Sequence, residues 1–168
     1  MKRVLLVFSG MIILIMLIVP MSAVSLNVPD ESIQITLERG MCFGTCPVYT
    51  VSLSGNGTIF FEGRQFVETE GNVTNSIDPQ TVADLFHSLN TDGFFYLNDS
   101  YSAYEITDMP SATLTVRNSS INKSVYHYYG DSSAPQTLMM MEDAVDLVAN
   151  TSRWIGNGSF IGWDDEIL

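Results

Sequence analysis

Cationic side chains are scarce in this chain: seven Lys and Arg stand against nineteen Asp and Glu, for a formal charge of -12. A field of that sign repels phosphate backbones and anionic lipid surfaces, so nucleic acid is excluded as an expected partner. Cysteine is scarcer still, with two residues in 168, and the fold must therefore rest on an apolar core with at most one bridge as a staple. The signatures of local chemistry are missing as well. Gly-x-Ser-x-Gly, His-Glu-x-x-His and the phosphate loop Gly-x4-Gly-Lys-Ser/Thr do not occur, which removes the common nucleophile elbow, the zinc protease helix and the nucleotide cradle. Gly-x-Gly-x-x-Gly after a strand is absent too, which disfavours a parallel dinucleotide-binding sheet.

What the chain does have begins at its N-terminus. Met1, Lys2 and Arg3 precede an apolar run from Val4 to Val19 interrupted only by Ser9 and Gly10, the pattern of an export signal. Counted through Val24, residues 4–24 are also long enough to cross a bilayer as an uncleaved anchor with the basic end in the cytoplasm. Ala23 and Ser25 offer small residues for cleavage, whereas Pro20 and Met21 spoil the nearer register. Two outcomes follow: a single-pass anchored protein or a secreted one, with -14 left if Lys2 and Arg3 are removed. Either way the domain is expected to be extracytoplasmic. The expected division is a signal peptide or signal anchor over 1–25, a linker over 26–31, one exported domain over 32–154 and a Gly-rich acidic tail over 155–168.

Seven Asn-x-Ser/Thr sites support the same side of the membrane, at Asn56, Asn72, Asn98, Asn118, Asn122, Asn150 and Asn157. Chance placement in this composition gives roughly two, and most of the seven fall where turns or element ends are expected.

The domain itself reads as α+β. Ile33, Ile35 and Leu37 alternate with polar residues as in a half-buried strand, and Val48 to Leu53 repeats the pattern before Ser54-Gly55-Asn56-Gly57 turns the chain into Thr58 to Glu62. Gln65 to Glu70 is expected to return as a fourth strand, with the polar stretch from Gly71 to Ser76 as loop. Asp78-Pro79 starts a helix to Leu89 whose stripe is Val82, Leu85, Phe86 and Leu89, leaving His87 outward. The aromatic-rich connection from Asn90 to Pro110 must pack down in part. Ala112 to Arg117 and Ile121 to Tyr128 form a second hairpin, and Pro135 opens a second helix with Leu138, Met141, Val145 and Val148 inward and Glu142, Asp143 and Asp146 on a solvated side. The sum is a single antiparallel sheet of five or six strands with two helices packed on one face, preceded by an N-terminal hydrophobic helix.

Candidate chemistry centres on Cys42 and Cys46, the only cysteine pair. The spacing Cys-x3-Cys between two strands fits a local disulfide closing a turn, worth about 2 kcal/mol by the chain-entropy argument. A redox-active pair would need a cation to depress a thiol, for which Arg39 is near in sequence. A zinc site from Cys42, Cys46, His87 and His127 has the right count and the wrong spacing. His127 shares strand parity with Ile121 and Val125, which suits a hydrogen-bonded core imidazole. Asn98-Asp99-Ser100 and Asp164-Asp165-Glu166 lack the stepped oxygen ligands of a calcium loop. Tyr126 and Tyr128 share a strand face, either as a stacking surface for sugar or peptide or as packing for the aromatic loop. No catalytic, cofactor-binding or metal residues are assigned on these grounds.

The stretch Ile35-Thr-Leu-Glu-Arg39, then Cys42-Phe-Gly-Thr-Cys-Pro-Val-Tyr49 and the Gly55-Asn-Gly57 turn, resembles the opening of an uncharacterised exported family, domain-of-unknown-function family 6438. The likeness continues through Phe94-Phe95, Asp108-Met-Pro110 and the helix ending near Trp154. It implies a small membrane-attached or secreted domain and carries over no activity. The expected function is a non-catalytic extracytoplasmic binding or cell-envelope module with an unknown protein or glycan partner. The alternative is a thiol-based redox or cryptic enzyme centred on Cys42 and Cys46.

Overall fold

The computed structural model describes residues 30–104 and 106–156. The leader at 1–25, most of the linker, the sequon at Asn157 and the tail beyond Gly156 lie outside them. The domain is α+β with one mixed sheet. Its strands are β1 (Gln34–Arg39), β2 (Val48–Ser54), β3 (Thr58–Gln65), β4 (Gly71–Ser76), β5 (Ser100–Tyr101), β6 (Ser111–Arg117) and β7 (Asn122–Tyr128), in the spatial order β4-β3-β2-β1-β6-β7-β5. Helices α1 (Pro79–Thr91), α2 (Gln136–Ala149) and α3 (Ser152–Ile155) complete it. Among the described residues no helix is long and apolar enough to cross a membrane.

Strand alternation builds the core. Ile35 and Leu37 of β1, Tyr49, Val51 and Leu53 of β2, Ile59 and Phe61 of β3, and Ala112, Leu114 and Val116 of β6 are buried on one face. The buried stripes of α1 (Val82, Leu85, Leu89) and α2 (Leu138, Met141, Val145, Ala149) close over that face. Helix α1 starts where expected because Asp78 accepts the Gln80 amide at 2.9 Å and Pro79 occupies the first helical position, where its missing N–H costs nothing. The β2–β3 turn requires its glycine: Gly57 has φ +85°, and a Cβ there would fall 2.3 Å from the Ile77 carbonyl oxygen. Among the described residues no helix covers the opposite face of the sheet, which carries Phe60 and hydroxyl side chains in register, Thr36 beside Ser52 and Thr115 beside Ser124, each pair hydrogen-bonded at 2.9 Å.

Three expectations need correction. The sheet has seven strands rather than five or six, and it is mixed, because β5 pairs parallel to β7 through Ser100–Tyr126 and Tyr101–His127. The fourth strand is not Gln65 to Glu70. Strand β3 runs on to Gln65, the chain reverses through Phe66 (φ 54°) and Gly71 (φ 88°), and the polar Gly71–Ser76 is the strand. An edge strand buries little, so a segment with Val73 as its one apolar side chain satisfies the position. A third helix, α3, follows the two expected ones; its Trp154 stacks on Phe61 with centroids 4.8 Å apart, and the Trp154 carbonyl accepts the Thr69 amide at 2.8 Å.

Phe61 lies between Tyr49 and Trp154 with no exposed area. Phe61→Ala is expected to cost about 3–5 kcal/mol in urea unfolding, the range for emptying a large aromatic site. A loss below about 1 kcal/mol would mean that Trp154 does not pack there.

Candidate functional site

The densest cluster of chemistry-bearing side chains is inside the domain. Arg39 continues the parity of Ile35 and Leu37 and therefore points into the core, where 1 % of it is exposed. Its guanidinium meets α2. Nε and Nη2 donate to Asp146 Oδ2 at 3.1 and 2.7 Å, Nη2 donates to Asp143 Oδ1 at 3.1 Å, and Nη1 reaches Glu142 Oε2 at 3.4 Å. Nη1 also donates to the Tyr129 hydroxyl, which in turn donates to Glu142. The second oxygen of Asp146 accepts Tyr49 Oη at 2.8 Å and Thr151 Oγ1 at 2.9 Å, and Glu142 Oε1 lies 3.0 Å from His127 Nδ1.

The expected solvated side of α2 is thus overturned. Glu142 is fully buried, and the Asp146 side chain is 17 % exposed; only Asp143, at 66 %, faces water. The helix period explains it: Glu142 and Asp146 stand four residues apart, Glu142 four after Leu138, so both run along the flank of the buried stripe.

The electrostatics follow from burial and mutual charge. Burial opposes the charge on Arg39, and the Tyr129 and Tyr49 oxygens together with Asp146 and Glu142 more than offset it, holding the guanidinium above its ordinary value. Burial raises the Tyr49 phenol, with the Asp146 carboxylate adding to the rise, and burial likewise raises Tyr129, with Glu142 adding to it. Burial of its inner side raises the Asp143 carboxyl against the pull of Arg39, but with most of the side chain in water the shift carries little energy. A cleft of about 310 Å³ opens beside Arg39, Asp143, Asp146 and Thr151. The groups behind it are spent on one another: the arginine is sealed by carboxylates, and the carboxylates by arginine, hydroxyls and imidazole. Through these bonds the cluster clamps β1, β2 and the end of β7 to α2.

Of the sequence candidates, Cys42 and Cys46 do form a disulfide, with Cα atoms 5.8 Å apart, and no free cysteine occurs among the described residues. Arg39, the cation nearest in sequence, is turned inward to α2. His127 is a core imidazole on Glu142, as its parity implies, whereas His87 is exposed on α1. The structure brings the two sulfurs together and neither histidine to them, so the four zinc candidates do not converge. Tyr128 packs on Tyr104 at 4.5 Å and donates to the Ile106 carbonyl at 3.0 Å, while Tyr126 stays on the open sheet face. The sequon residues Asn56, Asn72, Asn98, Asn122 and Asn150 are exposed, and Asn118 is half-buried with its side chain accepting the Ser120 amide at 2.9 Å.

A second feature has no local signal in the sequence. The disulfide loop and residues 102–104 and 106–110 meet at one end of the sheet, where the Phe43 amide donates to the Asp108 carbonyl at 3.1 Å. Together they hold out Met41, Phe43, Tyr104 and Ile106, at 68, 88, 69 and 59 % exposure. Gly130 permits this arrangement, since a Cβ there would sit 2.1 Å from the Ile106 carbonyl oxygen.

Residues 33–149 match the family model described as Domain of unknown function (DUF6438). No curated protein matches the chain.

Removing the one cation of a buried ion cluster leaves uncompensated carboxylates, whereas removing the whole cluster need not destabilise. Arg39→Met is expected to cost about 3–5 kcal/mol. Arg39→Met combined with Glu142→Leu and Asp146→Leu should recover most of that loss in urea unfolding. Additive losses across the three substitutions would show that the groups are not coupled.

Proposed function

The chain belongs to the DUF6438 family, a domain of unknown function, and from that premise we propose that it is a non-catalytic extracytoplasmic module that binds a partner through the tip formed by the Cys42–Cys46 loop and residues 102–104 and 106–110. The observation that carries this reading is Phe43, 88 % exposed on a loop closed by a disulfide and tied by its amide to Asp108. An apolar ring held in water is unfavourable by itself, and a cross-linked loop loses little further entropy on docking. Aromatic and aliphatic anchors of this kind carry most of the energy of an interface.

Location supports the same reading. A disulfide between surface-loop cysteines suits an oxidising compartment, and the apolar stretch 4–24 behind Lys2 and Arg3 suits export, as an anchor or a cleaved signal. Neither tip loop contains an Asn-x-Ser/Thr site, so sugars on the domain would leave the tip bare. The expected partner is a protein or glycan of the cell envelope.

The thiol reading keeps one supporting observation: the two bonded cysteines are half-buried in a surface loop rather than sealed in the core. Against it, Arg39, the cation nearest in sequence and the one expected to lower a thiol pKa, is committed to α2.

Phe43→Ser with Ile106→Ser is expected to leave stability within about 0.5 kcal/mol, as for exposed positions generally, and to abolish chemical crosslinking of the full chain to its partner in intact cells. An unchanged crosslinking pattern would defeat the tip as the docking site. Mass spectrometry of the same material is expected to show the Cys42–Cys46 bridge; a reduced chain recovered from cytosol would defeat the extracytoplasmic assignment.

A further inference from the structure

We propose that the sheet face away from the helices carries a saccharide site centred on Tyr126, adjoining the tip, with which its cleft shares Met41. Strand register sets Thr50, Glu38, Thr113 and Tyr126 side by side across β2, β1, β6 and β7. All four lie on the face away from the helices, because their strand neighbours Tyr49, Leu37, Ala112 and Val125 are buried on the other. A cleft of about 340 Å³ runs along this row, lined by Glu38, Arg64, Thr113 and Tyr126 among others. Arg64 Nη2 donates to Thr50 Oγ1 at 2.7 Å, which fixes the guanidinium at the β2 end of the row.

The lining chemistry selects the ligand class. A pyranose has an apolar C–H face that stacks on an aromatic ring and a rim of hydroxyls that both donate and accept. Tyr126 supplies the ring, Glu38 an acceptor-only carboxylate, Arg64 a donor-only guanidinium, and Thr113 a hydroxyl that does either. One charge of each sign in the cleft favours a neutral polyhydroxyl ligand over a phosphate or a polyamine. The chain's -12 charge disfavours anions further. In the neighbouring row, which runs from Phe60 through Ser52, Thr36, Thr115 and Ser124, the hydroxyls are hydrogen-bonded in two pairs. Strands rather than loops hold every polar group, so the site is preorganised. The Tyr126–Tyr128 pair divides its two expected roles: Tyr128 packs against Tyr104, and Tyr126 is left for stacking.

Saturation-transfer NMR tests this on the full chain in phosphatidylcholine nanodiscs, with the methyl glycosides of glucose, galactose, mannose and N-acetylglucosamine as probes. Saturable binding of at least one, with Kd on the order of millimolar, is expected. Tyr126→Ala should weaken it about tenfold or more, Tyr126→Phe should retain it because the ring remains, and Glu38→Gln should weaken it without touching the fold. Phe43→Ser should leave it unchanged, so loss of the tip reading and loss of this one are separable. Absence of saturable transfer to all four glycosides overturns the proposal. So does binding that Tyr126→Ala and Glu38→Gln leave intact.

Discussion

One buried cation organises this domain. Arg39 enters the core at the end of β1, and nothing in an apolar interior would solvate it; the carboxylates of Asp146, Asp143 and Glu142 on a single helix do so instead. Because the charge is intolerable without its partners, α2 is fixed against β1 in one register, and Tyr49, Tyr129, Thr151 and His127 are drawn in to satisfy the remaining oxygens. Hydrophobic burial supplies the bulk of the stability, but it is non-directional. The ion cluster supplies direction, and its net contribution is small only so long as every member is present.

With α2 fixed, the rest of the surface follows. The helices cover one face of the sheet and α3 returns to dock Trp154 on Phe61; the other face carries hydroxyls beside Phe60 and Tyr126, and the Cys42–Cys46 loop lies at the end of the sheet. The residues flanking Arg39 in sequence thus serve different ends: Glu38 points to the open face, Arg39 to the core, and Met41 and Phe43 into water. A strand's period of two does the first separation and the bridged turn the second.

Much of this is legible in the sequence, and what is not has identifiable reasons. Alternation of Ile33, Ile35 and Leu37, the Gly57 turn and the Asp78-Pro79 cap each encode a local structure that tertiary contacts reinforce. The inward position of His127 follows from parity alone. Parity also places Arg39 inward, and the four-residue step from Leu138 places Glu142 beside the buried stripe, but a charged residue on an inward position reads as an exception unless its partner is known, and the partner is more than 100 residues away. Strand β4 escapes the pattern because an edge strand has almost nothing to bury, and β5 because a two-residue parallel pairing has no local period. The apolar tip joins two loops distant in sequence, which no local pattern announces.

The burial of Arg39 and of its phenol and Glu142 partners, which should last as long as the domain is folded, is tested most directly at alkaline pH. The Tyr49 and Tyr129 phenols are both raised above their ordinary value of 10 by burial beside carboxylates. A group raised in the folded state stabilises below its unfolded value and loses that contribution as pH climbs past it. Stability should therefore fall above about pH 10, by up to about 1.4 kcal/mol per pH unit for each phenol. NMR of ring-labelled tyrosine is expected to show Tyr49 and Tyr129 protonated until the domain unfolds. Ionisation of both near their ordinary value of 10 in the folded protein would mean that the cluster is open to solvent.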